Sequence, residues 1–589
     1  MAFNKIRSIS QKNDKHRNNT IGVAPNWTSH ISNNVDVGRV YYFNLITGKS
    51  QWNIPRSINQ QMHYSPTTIL DLDDRIMHIL INHLDNTSVS ILSQTTRQFR
   101  DLIKDIKTVD ITNINLTKNQ LMSLVRFLPQ MTNIKKLDIS FRLGYEHGER
   151  INIDIANVLA RSLGKMRSLT HLNLENCEKN DYVIEVIFQG LVGITELTYL
   201  NLKGNRIHYK TFAPILANML KLEYLNLHNT SHNDTEIKAL AQILARMPNL
   251  TSLDLGGNFF SKTSADEIAQ YIAQMSQLTY FNFNFNSCSE KLLLSIQSMQ
   301  NLTHLDLSLT GLKKGVSMEL LGLIFNKTPN LRYLNLNSNH KIGQDGIFEL
   351  APHLAKLLNL EHLGLSGAHM VSVNELIPSL LQLSKLTYLD LSYNGIGPDV
   401  NAIGNCFAQM PNLTHLDLQH NMFLLDNQVY NGVTEFVPCL LQLSKLKYLN
   451  LADNSLSEKD VTKLAESLEH MTDLRYLDLS SNKIGDKGLT HLVKHIYVMS
   501  KLTDLLLNDI EISDECVEML GLLLQFMPKL TNIGLSMNKI GDKGAEFLKE
   551  IFTELKSLKR ISFMDNNLTT ISTDALQEFA TAKKITLEI

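Results

Sequence analysis

The sequence has few cysteines and no excess of charge of either sign. Its five cysteines in 589 residues are odd in number and scattered, without CxxC spacing or nearby histidine pairs. Disulfide frameworks and zinc sites both need closely patterned cysteines, so neither is expected, and a reducing compartment fits best. The net charge of -2 argues against nucleic acid or an anionic membrane as the main partner.

Long apolar runs are also missing. No stretch approaches the roughly 18 uninterrupted apolar residues that a membrane-spanning helix needs. Residues 1–24 are basic but contain no apolar run that fits the core of a signal peptide, so we expect a flexible tail there. These features predict a cytoplasmic protein. They leave open the nucleus and, for a secreted effector, the cytosol of a host cell.

Catalytic motifs are the third class of feature that the sequence lacks. It contains no Walker loop, no GxGxxG, no HExxH and no GxSxG. We therefore expect a non-catalytic protein that needs neither a metal nor an organic cofactor.

A repeat with the pattern LxxLxL fills most of the chain, and its last four steps are each 28 residues. The repeats start at Ile134, Leu169, Leu197, Leu222, Leu250, Leu278, Leu302, Leu331, Leu360, Leu386, Leu413, Leu446, Leu474, Leu502, Leu530 and Leu558. Most carry an asparagine eight residues after the first position, as at Asn339, Asn482 and Asn538. The alternating leucines predict a short strand with one buried face, and the asparagine amide is expected to satisfy backbone groups where the chain leaves the strand.

After each strand the apolar residues change to helical spacing, as at Ile237, Leu240, Ile243 and Leu244. One strand plus one helix per repeat resembles the leucine-rich-repeat family, in its long ribonuclease-inhibitor-like class. The resemblance implies an α/β horseshoe solenoid over residues 107–589. In it, a parallel sheet lines the concave side and helices form the convex side.

In LxxLxL the third and fifth positions are expected to face out of the concave sheet, because their neighbours face inward. Apart from Ser252, the third position is aromatic or histidine from the second repeat onward, at His171, Tyr199, Tyr224, Tyr280, His304, Tyr333, His362, Tyr388, His415, Tyr448 and Tyr476. The fifth position carries mainly Asn and Asp, and the aromatic column stops at Asp504, Asn532 and Arg560. Two interpretations remain open: the rings stack to stabilise the sheet, or they bind a somewhat basic target protein.

Residues 25–56 hold both tryptophans, Trp27 and Trp52, around the aromatic segment Tyr41-Tyr42-Phe43. This segment resembles a WW domain, which implies a small all-β module that captures a proline-rich peptide in polyproline conformation. The resemblance gives Trp27 and Pro55 a structural role, and Leu45 stands where the family usually has a histidine. The proline-peptide site it implies is Tyr41, Phe43, Leu45 and Trp52. The alternative is a WW-like fold kept for packing.

Residues 57–68 are expected to form a linker, and residues 69–106 predict short amphipathic helices. Their apolar pattern resembles an F-box, which implies docking on a Skp-type linker protein and thereby on the cullin core of an SCF ubiquitin ligase. The resemblance assigns the Skp-docking surface to Leu72, Ile76, Met77 and Leu84. The alternative is that these helices only cap the first repeat.

Together these patterns predict an adaptor that recognises the substrate of an SCF-type ubiquitin ligase. The first rival is a leucine-rich-repeat scaffold with no ubiquitin role. A more distant rival is a GTPase activator of the Ran type, for which Arg206 is the nearest candidate for a catalytic arginine.

Overall fold

The computed structural model describes residues 27–31, 40–44, 50–51, 107–111, 118–131, 133–140, 151–177, 180–230, 236–422, 436–437 and 439–589. The predicted tail, linker and F-box-like helices lie outside these residues. So do the Skp-docking residues Leu72, Ile76, Met77 and Leu84, and the proline-peptide residues Leu45 and Trp52.

The N-terminal module contains a three-stranded antiparallel sheet in the order β1-β2-β3. Its strands are β1 Trp27–Ile31, β2 Val40–Asn44 and β3 Ser50–Gln51. Tyr41 and Phe43 of the predicted proline-peptide site lie in β2, where Tyr41 pairs with His30 and Phe43 with Thr28.

The chain divides into two compact units, and the N-terminal module belongs to the first. The first unit comprises residues 1–178 and 182–196, and the second comprises 179–181 and 197–589. In the first unit three strands pair in parallel, β4 Thr108–Asp110, β5 Lys136–Asp138 and β6 His171–Asn173. Its helices are α1 Lys118–Phe127, followed by a 3-10 turn at Leu128–Gln130, α2 Ile153–Leu163 and most of α3 Asp181–Gln189.

The second unit is a parallel sheet of fifteen described strands that pair in chain order. The strands are β7 Tyr199–Asn201, β8 Tyr224–Asn226, β9 Ser252–Asp254, β10 Tyr280–Asn282, β11 His304–Asp306, β12 Tyr333–Asn335, β13 His362–Gly364, β14 Tyr388–Asp390, β15 His415–Asp417, β16 Tyr448–Asn450, β17 Tyr476–Asp478, β18 Asp504–Leu506, β19 Asn532–Gly534, β20 Arg560–Ser562 and β21 Thr586–Glu588. Each strand therefore spans positions three to five of its repeat, with equal positions paired across neighbouring strands.

Helices or short helical turns connect these strands. They are α4 Tyr209–Leu216, α5 Ile237–Leu244, α6 Lys262–Ile272, α7 Glu290–Ile296, α8 Val316–Lys327, α9 Gly343–Leu354, α10 Ile377–Leu380, α11 Val400–Phe407 after a 3-10 turn at Gly397–Asp399, α12 Glu458–Leu468, α13 Gly485–Ile496, α14 Asp514–Gln525, α15 Asp542–Glu554 and α16 Thr570–Lys583. The alternation of parallel strand and helix confirms the predicted α/β class and the leucine-rich-repeat solenoid.

The core lies between the sheet and the inner faces of the helices. Leu334 and Leu336, at positions four and six of one repeat, are fully buried together with Ile347 and Leu350 of α9. Burying a leucine or isoleucine side chain contributes about 1.5–3 kcal/mol, so stacking of repeats is driven mainly by this apolar layer.

The repeated asparagines connect neighbouring repeats as well as closing their own turn. Asn339 Nδ2 donates to the carbonyl oxygen of Leu336 in its own repeat at 2.8 Å and to that of Leu307 in the preceding repeat at 2.9 Å. Its Oδ1 accepts the backbone N–H of Thr310 at 3.1 Å and of Leu312 at 3.0 Å. The predicted role in satisfying backbone groups is confirmed, and the amide also links adjacent repeats.

Two strands were not among the predicted repeats. Strand β4 lies in Ile106-Lys-Thr-Val-Asp-Ile111, where isoleucine and valine take the leucine positions. Strand β21 lies in Lys584-Ile-Thr-Leu-Glu-Ile589, where a lysine takes the first position. Both segments nevertheless form strands, because β4 pairs in parallel with β5 and β21 pairs in parallel with β20.

Candidate functional site

In the second unit the third-position side chains lie together on one face of the sheet, which we call the open face. The leucines at positions four and six point into the core and are fully buried, so the intervening side chains take the opposite side. All eleven aromatic and histidine residues predicted for this column are half-buried. His171 belongs to the first unit, and the other ten belong to the second.

From β10 to β17 the third-position rings form an unbroken stack, which we call the aromatic ladder. Its ring-centroid distances are 5.7 Å for Tyr280–His304, 5.5 Å for His304–Tyr333, 4.0 Å for Tyr333–His362, 3.8 Å for His362–Tyr388, 5.6 Å for Tyr388–His415, 5.9 Å for His415–Tyr448 and 4.2 Å for Tyr448–Tyr476. Tyr199 and Tyr224 form a separate stacked pair at 4.2 Å. The ring stacking that one of the two interpretations of the sequence expected is therefore present, and each contact contributes about 0.5–1 kcal/mol.

The ladder histidines are held in the neutral form. Burial lowers the pKa of His304 and His415, and it lowers the pKa of His362 to about 4 with help from these two neighbouring histidines. His362 is sandwiched between the rings of Tyr333 and Tyr388, which keep water from an imidazolium. At neutral pH the ladder is therefore an uncharged aromatic surface.

The fifth-position side chains lie on the same side of the sheet as the rings, as predicted, but they are more deeply buried than expected. Asn450, Asn201 and Asp254 are 3, 5 and 8% exposed, so much of this column does not face solvent. The side-chain oxygen of each accepts a hydrogen bond from the backbone N–H two residues further on, and in the same way the Ser308 N–H donates to Asp306 Oδ1 at 2.9 Å. These side chains close the turn at the strand end, as Asn and Asp do in Asx turns.

The second carboxylate oxygen of most fifth-position aspartates is also used. Asp306 Oδ2 accepts a hydrogen bond from Asn335 Nδ2 at 3.1 Å, and Asp417 Oδ2 accepts from Asn450 Nδ2 at 3.1 Å and from Tyr448 Oη at 3.2 Å. Burial raises the pKa of Asp417 to about 6 despite these bonds. The aspartates thus tie the base of the ladder together and give the open face an acidic floor.

Arg206, the candidate for a catalytic arginine, is in an ion pair. Its Nε lies 3.0 Å from Asp181 Oδ1, and its side chain is about half exposed. His208 Nε2 contacts the other oxygen of the same carboxylate at 3.0 Å. In the part of the chain that the structure describes, no group of three or more metal-ligating side chains comes together.

None of the helices within the described ranges has both the length and the apolar character to cross a bilayer.

Protein-family models match three kinds of segment. The WW domain matches residues 23–55, a leucine rich repeat matches 327–351, 382–399, 470–493 and 527–549, and the PRAME C-terminal domain matches 48–229. The first two matches confirm the WW domain and the repeats predicted from the sequence. They support a protein-binding scaffold. No F-box model is among the matches, so the F-box stays a prediction.

Solved structures with a similar chain include other leucine-rich-repeat proteins. A leucine-rich-repeat protein of Leptospira interrogans is 18% identical, with a TM-score of 0.36, over 84% of this chain and 98% of its own. An internalin of Listeria monocytogenes is 20% identical, with a TM-score of 0.31, over 73% of this chain and 88% of its own. Mouse RP105 in complex with MD-1 is 18% identical, with a TM-score of 0.40, over 85% and 80%. No curated protein matches the chain.

Proposed function

We propose that this protein is a non-catalytic adaptor that holds a target protein on the aromatic ladder and a proline-rich peptide on its WW domain. The observation that carries the proposal is the ladder itself: eight rings in one row, stacked on each other and still partly exposed. Tyrosine is a frequent hot-spot residue at protein interfaces.

Stacking prepares the ladder for binding. A side chain held between two neighbours has lost most of its rotamer freedom before a partner arrives, so binding costs less conformational entropy. The rings also stand over an acidic floor that includes the half-buried Asp306 and Asp417 and the buried Asp478. This combination favours a target with apolar and basic side chains.

Affinity purification with mass spectrometry tests the ladder. The wild-type chain is compared with the ladder variant Tyr333→Ala/Tyr388→Ala. We expect the specific targets to be lost from the variant. Tyr497→Ala is the matched control, since Tyr497 is exposed at the end of helix α13 and contacts Phe526 on the helix side. Equal recovery of all targets by the ladder variant would remove the proposal.

The more specific form of the proposal is substrate recognition for an SCF-type ubiquitin ligase. It is supported by the F-box-like pattern of residues 69–106 and by the repeats that follow directly. The ligase would act by proximity, because the adaptor holds the target's lysines near the ubiquitin-charged enzyme. The WW domain adds a second contact on a short tether and so raises avidity.

A pull-down with a purified Skp protein separates the ligase adaptor from a scaffold. We expect recovery by the wild-type chain and loss in Leu72→Asp/Leu84→Asp. Absence of Skp recovery from the wild type favours the scaffold with no ubiquitin role. A GTP hydrolysis assay with wild type and Arg206→Ala tests the Ran-type rival, and we expect no stimulation from either.

A further inference from the structure

The row of rings on the open face has one gap, at Ser252. In the paired register Ser252 of β9 lies between Tyr224 of β8 and Tyr280 of β10. Strands lie about 4.8 Å apart, so the backbones of the two tyrosines are about 9.6 Å apart. Two stacked contacts of about 3.5 Å each fit in that distance. Ser252 therefore leaves room for one planar group between the two rings.

The carboxylate of Asp254 lies on the same side of β9, two residues further along. Its Oδ1 accepts the backbone N–H of Gly256 at 2.9 Å and lies 3.4 Å from His228 Nδ1. Within the described ranges no hydrogen bond reaches its Oδ2. Among the repeats predicted from the sequence, each of the other fifth-position aspartates has a donor on Oδ2, namely Asp138, Asp306, Asp390, Asp417 and Asp478.

A second acceptor lies close by. Asn284 Oδ1 is buried and has no hydrogen-bond partner among the described residues. It lies over Gly256, where an added Cβ would come within 2.1 Å of it. Glycine at 256, whose backbone N–H donates to Asp254, is therefore what leaves space for this oxygen. A buried acceptor without a donor is unfavourable, and a ligand with N–H groups would supply the missing hydrogen bond.

We propose that this gap, which we call the β9 slot and define by Tyr224, Ser252, Asp254, Tyr280 and Asn284, binds an arginine side chain. A guanidinium is planar, stacks on aromatic faces and has five N–H donors for the carboxylate and the amide oxygen. A lysine ammonium group carries the same charge but has no planar face that could stack on the rings. The inference rests on the proposed function only in assigning this arginine to the target protein.

The direct test uses N-acetyl-arginine methylamide as the probe, with its lysine and citrulline counterparts, and saturation-transfer NMR on the full chain. We expect the arginine probe to bind with a Kd on the order of 1 mM, and the lysine and citrulline probes about 5-fold and 10-fold more weakly. Binding of all three with equal affinity, or no binding by the arginine probe at about ten times that concentration, would overturn the inference.

Two variants locate the binding in the slot. Ser252→Tyr places a ring in the gap and completes the row, so the fold is kept while arginine affinity is expected to fall at least about 10-fold. Ser252→Ala leaves the gap open and is the control, with unchanged affinity. Unchanged arginine affinity in Ser252→Tyr contradicts the slot.

The same variants separate this inference from the adaptor role. Target capture that is lost in Tyr333→Ala/Tyr388→Ala but kept in Ser252→Tyr overturns the assignment of a target arginine to the slot, while the adaptor proposal stands. Arginine-probe binding that is lost in Ser252→Tyr, in a chain that captures no target, supports the slot and removes the adaptor proposal.

Discussion

The repeats of β10–β17 and those of β18–β20 share one scaffold but differ on the open face. Asn538 donates to the carbonyl oxygens of Leu507 and Leu535 at 2.9 and 3.0 Å, the same bridge that Asn339 makes in the ladder region. The fourth-position side chains are fully buried in both. The third position nevertheless changes from stacked rings to Asp504, Asn532 and Arg560. The fold therefore does not require the ladder, which is what the proposed binding role expects.

The largest expected effect concerns what the two regions share. Leu334→Ala in the ladder region and Leu505→Ala beyond it each remove a fully buried side chain. We expect each to lower the free energy of unfolding by about 2–5 kcal/mol, by lost burial and a new cavity. Urea unfolding followed by circular dichroism measures both. Leu522→Ala is the control, since Leu522 is 51% exposed. If only one of the two substitutions lowered the free energy of unfolding, the two regions would not share the same kind of core.

An intermediate effect concerns pH and belongs to the ladder alone. The pKa of His362 is about 4 in the fold against an ordinary value of 6.5, so the unfolded chain binds the proton more readily. The stability contributed by neutral His362 is complete above pH 6.5 and is lost as the pH falls towards 4. We expect this loss to be on the order of 2 kcal/mol after allowance for screening by solvent.

Replacing His362 by tyrosine isolates this effect. His362→Tyr keeps a ring between Tyr333 and Tyr388 but cannot take up a proton in this range. The difference in unfolding free energy between variant and wild type should therefore grow from pH 7 to pH 4.5. The ladder aspartates, whose raised pKa values act in the opposite direction, are common to both chains and cancel. A difference that stays constant with pH would contradict the assignment.

The smallest expected effect comes from extending the ladder into the bare region. Asp504 pairs in register with Tyr476, so Asp504→Tyr should add one stacked ring. We expect a gain of about 0.5–1 kcal/mol in unfolding free energy relative to Asp504→Ala, which adds no ring. Equal stability of the two variants would show that stacking contributes little to this sheet.

The sequence predicted the third-position column because strict alternation of leucines leaves only one face for the residues between them. It did not predict that the fifth-position side chains would be buried by hydrogen bonds to the backbone. Strand β11 ends at Asp306, and there the chain turns, so the carboxylate bonds to the Ser308 N–H instead of pointing to solvent. Alternation alone holds no information about where a strand ends.

The β9 slot also could not be predicted from the sequence alone. Ser252 is visible in the sequence as an interruption of the column, yet its meaning depends on the register of three strands. The unpaired oxygen of Asn284 comes from a different repeat and from a turn that pattern reasoning does not place. The lowered pKa of His362 likewise follows from neighbours that are about 26–29 residues away in the chain but adjacent in the sheet.

Hydroxyl-radical footprinting of the chain with a captured target tests the central claim most directly, because it reports which aromatic side chains the target covers. The account predicts strong protection of Tyr333, Tyr388 and Tyr448, with the helix-side Tyr497 as reactive as in the free chain. Unchanged reactivity of the ladder tyrosines in the saturated complex, or protection confined to Tyr497 and its helix face, would contradict it.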